Sequence, residues 1–224
     1  MTGTVIFDMD GVIFDSERAC LSCWSEIAEK WKLENVEQVF RKCIGTNDYQ
    51  TRMIVEEAYA PVFGEGISEK LLKESSRIWH SRYDENPLPM KTGVIEILEF
   101  LKINKVPVGL ASSTKKASVE AELKQAGLYS YFDKIIGGDA VKISKPDPEI
   151  YLLACSEMGA EPGEATAIED SYNGIRSAYA AGLRPIMVPD MIEADDEMRR
   201  LSAVICKDLS EVKDFFEKEM QAKE

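Results

Sequence analysis

The chain has 224 residues, 45% of them apolar and 30% charged, with a formal net charge of −13 at pH 7. That length fits one or two compact domains with a buried core, and no apolar run reaches the roughly 18–20 residues of a membrane-spanning helix. The acidic balance argues against nucleic acid and anionic membranes as partners, since both select for Lys and Arg.

The first predicted element is a strand over Thr4–Phe7, a β-branched apolar run that stops on Asp8-Met9-Asp10-Gly11. Strand side chains alternate with a period of two, so Asp8 and Asp10 point the same way at the carboxyl end of the strand. Two carboxylates this close repel unless a cation lies between them or one keeps its proton. A hard divalent ion such as Mg²⁺ suits them, because it prefers oxygen ligands and leaves positions for water and phosphate. The alternative is a pair of acidic turn residues capping the next segment.

From 16 to 86 no strand is predicted. The stretch reads as four helical pieces, Glu17–Lys30, Val36–Arg41, Asp48–Tyr59 and Ser68–Tyr83, closed by the stiff Asn86-Pro87-Leu88-Pro89. A helical domain inserted after the first strand would hang over the carboxyl edge of a sheet. Its connections near Asp15–Ser16 and Asn86–Leu88 would then be the hinges of a water-excluding lid.

Beyond the insert, short apolar strands are predicted near Val106–Ala111, Lys134–Ile136, Thr166–Ile168, Pro185–Val188 and Ala203–Cys206. Helices alternate with them over Gly93–Lys102, Lys115–Ala126, Pro148–Met158, Asn173–Ala181 and Ser210–Lys223. Unbroken apolar strands alternating with helices predict a doubly wound parallel sheet, an α/β fold covered on both faces. The expected division is a Rossmann-like core from 1–15 and 87–224 and a helical cap from 16–86. The acidic Glu193–Glu197 run reads as a solvated helix face.

Five cysteines, an odd number, make no disulfide framework in a chain of this size. Cys20 and Cys23 form a CxxC on a predicted helix with no second pair, and read as packed thiols. The opening MTGTVIFDMDG lacks the basic start and apolar centre of a secretory signal. A soluble cytoplasmic protein is expected, a monomer or weak homodimer.

Three later stretches carry chemistry. Ser112-Ser113-Thr114 closes a strand and precedes a helix, so the Ser112 hydroxyl and the amides of Ser113 and Thr114 form an anion site, or simply a cap. Lys145 stands before Pro146-Asp147-Pro148, where it can offset the charge of a carboxylate and a phosphate; Asp147 reads as structural. Glu169 and Asp170 follow another strand and arrive at the same sheet edge, as metal ligands or as an N-cap.

The stretch Phe7 to Glu17 resembles the first motif of the haloacid dehalogenase-like (HAD) hydrolases, most of which are phosphatases or phosphomutases. Leu110–Thr114, Ser144–Pro148 and Ile168–Gly174 follow in that family's order and approximate spacing, and the resemblance covers nearly the whole chain. It is greatest with the helical-cap subfamily that includes β-phosphoglucomutase and sugar-phosphate phosphatases. The resemblance implies that Asp8 is a nucleophile forming an aspartyl-phosphate. It makes Asp10 the general acid and then base, with its backbone carbonyl on the metal. Asp170 would complete a Mg²⁺ site with Asp8, and Glu169 would reach the ion directly or through water. Ser112, Ser113 and Lys145 would hold phosphate.

The expected function is Mg²⁺-dependent hydrolysis of a small phosphate ester, the substrate being the only partner. The mutase alternative is weakened at two points. Cys20 aligns where those mutases place a histidine, and Asp48 where they place a phosphate-holding arginine. A phosphonoacetaldehyde hydrolase would need a Schiff-base lysine, for which Lys30, Lys32 and Lys42 offer no isolated apolar setting. A non-catalytic phosphometabolite binder would have no need of both nucleophile and acid. In the helical insert, Asn47, Gln50 and Arg52 are candidate substrate contacts, and His80 reads as a partly buried packing residue.

Overall fold

The computed structural model describes residues 3–46 and 48–222. Strand β1 (Thr4–Phe7) is buried throughout. Four helices follow, α1 (Ser16–Trp31), α2 (Val36–Cys43), α3 (Asp48–Phe63) and α4 (Ile67–Tyr83). The chain then alternates through α5 (Val94–Ile103), β2 (Val108–Ala111), α6 (Lys116–Gln125), β3 (Lys134–Ile136), α7 (Glu149–Met158) and β4 (Ala165–Glu169). It ends with α8 (Tyr172–Ala180), β5 (Arg184–Met187), α9 (Asp196–Leu201), β6 (Val204–Ile205) and α10 (Leu209–Gln221).

The strands form one sheet in the order β3-β2-β1-β4-β5-β6, every pairing parallel. This is the doubly wound α/β architecture expected from the unbroken apolar strands. The winding reverses between β1 and β4, which are direct neighbours with Phe7 opposite Ile168. Ligands of such sheets bind outside the carboxyl ends of the strands at that reversal, where Asp8 and Glu169 emerge.

One face of the sheet is packed by α7 and α8. Ile6, Ala111, Ala165 and Ala167 of the strands meet Ile150, Tyr151, Ala154 and Ala178 of those helices in a single apolar cluster. The alanines on β4 let the helices lie close to the sheet. Strand β2 is shorter than the apolar run suggests, because Val106 N donates to Leu101 O and completes the end of α5.

The chain divides into two compact units. One comprises the residues up to Asp15 and those from Met90 onward, and the other is Ser16–Pro89, so the Pro-rich linker falls inside the helical unit. Within that unit α1 buries Ala19, Cys23, Trp24, Ile27 and Ala28 at helical spacing. Trp24 meets Phe40 of α2 edge-to-face at 5.1 Å. Glu56 on α3 accepts from the amides of Gly66 and Ser68 at 2.6 and 3.0 Å, satisfying donors at the start of α4.

His80 is not a packing residue: its side chain is 63% exposed and its Nδ1 lies 2.8 Å from Asp84 Oδ1, one turn on. It falls on the polar face of α4, away from Leu71 and Ile78. The acidic run near 195 is also more than a solvated face. Asp195 caps α9 by accepting from Met198 N, and Glu197 pairs with Arg176 of α8. All five cysteines are free thiols, and among the described residues no helix is long and apolar enough to cross a membrane.

Candidate active site

The ladder between β1 and β4 continues one residue beyond the strand, where Asp8 N donates to Ile168 O at 2.9 Å. The chain then turns sharply around Met9, whose carbonyl accepts from Ile13 N at 2.9 Å and Phe14 N at 3.1 Å. Gly11 in this turn has φ +79°, and a Cβ there would sit 2.2 Å from Asp170 Oδ2. Only glycine meets both conditions, so the turn after β1 is pressed directly against the carboxylate that follows β4.

Lys145 ties three acceptors together. Its Nζ lies 2.6 Å from Asp8 Oδ1, 2.6 Å from Glu169 Oε1 and 3.1 Å from Ala111 O at the end of β2. The Tyr151 ring lies below the ammonium, its centroid 5.1 Å away. Burial opposes the lysine's charge, but the Asp8 and Glu169 carboxylates outweigh it and carry its pKa above the usual lysine value.

Burial pushes Asp8 up to about 8; the Lys145 ammonium opposes this, and the charges of Glu169 and Asp10 add to it. The site thus holds more negative charge than one lysine balances. Oxygens of Asp8, Glu169 and Asp170 all lie within 4.8 Å of one another, a spacing and donor set suited to a hard divalent cation.

Asp10 has a different setting. Its Oδ2 accepts from Thr114 Oγ1 at 2.8 Å and lies 3.4 Å from Ser112 Oγ. Ser112 Oγ itself accepts from Thr114 N at 3.0 Å. Neither serine caps the next helix, because α6 begins after Lys115 with no side-chain cap. Ser112 is fully buried and Ser113 is exposed beside it.

Glu169 accepts from Tyr151 OH at 2.7 Å as well as from Lys145, and its Oε2 accepts from Ser171 Oγ at 3.2 Å. Ser171, not the acidic pair, caps α8 by accepting from Gly174 N. A Cβ at Gly174 would sit 1.9 Å from Glu169 Cδ, so the carboxylate occupies the space a side chain would need. Asp147 is structural: its Oδ1 accepts from Glu149 N, and its carbonyl accepts from Ser177 Oγ.

The structure therefore gathers Asp8, Asp10, Ser112, Lys145, Glu169 and Asp170 at one sheet edge, with Ser113 on its rim. Asn47 lies outside the described residues. In the helical unit Arg52 is paired with Asp48 at 2.8 Å, Asp48 being exposed and Arg52 half-buried. Sequence reasoning missed the side chains of Thr114 and Tyr151, which look like ordinary helix-start and core residues. It also missed Glu122 on α6, which burial pushes up to about 7 with Asp10 adding to the shift.

An open parallel sheet with buried carboxylates and a lysine at the reversal of strand order defines a Rossmann-like α/β class carrying an acidic, phosphate-compatible site. Residues 5–188 match the haloacid dehalogenase-like hydrolase family. The chain is 34% identical to the phosphorylated carbohydrates phosphatase of Thermotoga maritima, over 81% of this chain and 82% of that one. It is 29% identical to hexitol phosphatase B of Escherichia coli, over 91% and 95% respectively. A solved β-phosphoglucomutase from Clostridium difficile shares the fold, with a TM-score of 0.76 at 24% identity, covering 98% of this chain and 96% of that one. The protein belongs to the haloacid dehalogenase-like hydrolases.

Proposed function

We propose that the protein hydrolyses the phosphate monoester of a small metabolite, with a sugar phosphate as the substrate class that its phosphatase relatives support. The observation that carries this reading is the unequal setting of two neighbouring carboxylates. Asp8 faces an ammonium, and Asp10 faces hydroxyls. Two carboxyl groups in different environments divide the roles of nucleophile and acid.

Lys145 fixes one oxygen of Asp8, and the other attacks phosphorus. As that O–P bond forms, the ester O–P bond breaks and Asp10 passes its proton to the leaving oxygen. Asp10 then takes a proton from water, which attacks the aspartyl-phosphate, frees inorganic phosphate and restores Asp8. The Ser112 hydroxyl, the amide of Ser113 and the Lys145 ammonium hold the phosphoryl oxygens during both steps, and the Thr114 amide orients Ser112 by donating to its Oγ.

The acidic cluster fits Mg²⁺; the carboxylates of Asp8 and Asp170 would hold it, together with the backbone carbonyl of Asp10. Glu169, whose oxygens accept from Lys145, Tyr151 and Ser171, would reach the ion directly or through water. Bound there, the ion would add to the charge of Lys145 and keep the Asp8 carboxylate ionised.

Hydrolysis is preferred over a phosphomutase reaction because Asp48 stands where the mutases hold a second phosphate with arginine, and an acid repels that group. Five free thiols suit a reducing compartment; we place the protein in the cytoplasm, as a monomer or weak homodimer independent of nucleic acid and membrane.

The test is phosphate release from a panel of phosphomonoesters, with Mg²⁺ and with EDTA, using Asp8→Asn as control. Metal-dependent release that the variant lacks supports the reading. Release unaffected by the substitution refutes the nucleophile, and isomerisation of a hexose 1-phosphate in place of hydrolysis would make the protein a mutase.

A further inference from the structure

A second ion pair stands beside the acidic cluster. Lys91 Nζ lies 2.5 Å from Asp190 Oδ1 and 3.8 Å from Asp15 Oδ1. The Asp190 side chain is 1% exposed and that of Lys91 19%. Asp190 sits in the loop after β5, whose Val188 N donates to Glu169 O at 2.7 Å. That bond fixes the loop against the end of β4, and a carboxylate oxygen of Asp190 comes within 4.8 Å of one on Asp170. Lys91 is anchored from the other side, its own N donating to Ile13 O at 2.9 Å in the loop after the Asp-x-Asp turn. The pair thus links the loops that carry Asp8, Asp10 and Asp170.

A buried carboxylate this close to a metal-binding carboxylate acts on the cation through charge, whether or not it touches it. We propose that Asp190 and Lys91 are positioning residues that set the charge, and so the divalent-cation affinity, of the Asp8–Asp170 site. Asp190 strengthens the site's negative field behind Asp170. Lys91, paired with Asp190, cancels part of that field. The inference rests on the divalent-cation reading above and adds two residues to it that lie outside the four sequence motifs.

The sign of the effect separates this role from a merely structural one. A simple clamp would weaken cation binding when either partner is removed; a charge pair must shift it in opposite directions. The experiment is calorimetric titration of Mg²⁺ into metal-free full-length protein at pH 8 and fixed ionic strength. Asp190→Asn is expected to raise the Mg²⁺ Kd about tenfold. Lys91→Met is expected to lower it about threefold, and Lys91→Arg to restore the wild-type value. Arg184→Met serves as a control, because Arg184 pairs with Glu219 at the opposite end of β5; its Kd should not move.

Shifts in the same direction, or none, would overturn the proposal. If Asp190→Asn fails to fold, the comparison of Lys91→Met with Lys91→Arg still reads the sign. Wild-type protein that binds no Mg²⁺ would instead refute the divalent-cation reading itself, and the proposal with it.

Discussion

Gly174 and Glu169 are fitted to one another: the Glu169 carboxylate occupies the position where any larger residue at 174 would place its Cβ. Gly174 lies in the first turn of α8, where alanine is the better helix former. A Gly174→Ala substitution should nevertheless destabilise the protein, by about 1–3 kcal/mol, because the added methyl displaces a packed and hydrogen-bonded group. It should also lower phosphatase turnover at least tenfold, since Glu169 helps to place Lys145. Thermal melts and steady-state rates check the two effects; a stabilised, fully active variant would contradict the geometry.

Lys145 is the cation between two buried carboxylates, and its removal leaves both without it. Lys145→Met should cost about 3–5 kcal/mol of stability, the usual effect of breaking a buried pair from one side. Turnover should fall by at least about 10²-fold through lost charge stabilisation. Because the stability loss could by itself reduce activity, the rate is to be measured on protein shown by circular dichroism to be folded. An active, folded variant would remove Lys145 from the mechanism.

Asp10 and Thr114 should separate chemistry from placement. Asp10→Asn removes the proton carrier, and turnover should drop by roughly 10²–10⁴-fold. Thr114→Val removes only the hydroxyl that donates to Asp10 Oδ2, so a smaller loss of about tenfold is expected. Thr114→Ser keeps that hydroxyl and should stay near wild type. The kinetic parameters give a second check: Thr114→Val should lower kcat with little change in KM, which a general loosening of the loop would not do.

Much of this architecture was legible in the sequence for a physical reason. Strands buried on both faces leave unbroken apolar runs, and a carboxylate pair ending such a run can only emerge at the sheet edge. That logic brought Asp8, Asp10, Ser112, Glu169 and Asp170 to the sheet edge, and the motif resemblance singled out Lys145. It did not reach Tyr151, whose hydroxyl meets Glu169 across 18 positions of sequence. Nothing in an apolar helix distinguishes a tyrosine bound for an active site from one that fills the core. Lys91 and Asp190 were hidden for the same reason, being 99 positions apart and outside every motif. His80 was misjudged because a histidine beside Trp79 suggests packing, whereas the helix phase turns it to solvent.

The pH dependence of stability should reveal Asp8. Burial pushes its pKa to about 8 from an ordinary value of 3.8, so between those values the folded protein binds a proton that the unfolded chain has released. Stability supplied by that proton is fully present below about pH 4 and is lost as pH rises through about 8. Asp8→Asn carries no such proton. In EDTA, the Tm of the variant relative to wild type should therefore climb as pH is raised from about 5 to 9. Mg²⁺ favours the ionised carboxylate and should flatten that climb, with protons released as the metal binds. Calorimetry in two buffers of different ionisation enthalpy measures the release. A relative Tm that does not change with pH in EDTA would mean that Asp8 is already ionised in the metal-free protein, and that Lys145 alone suffices to hold its charge.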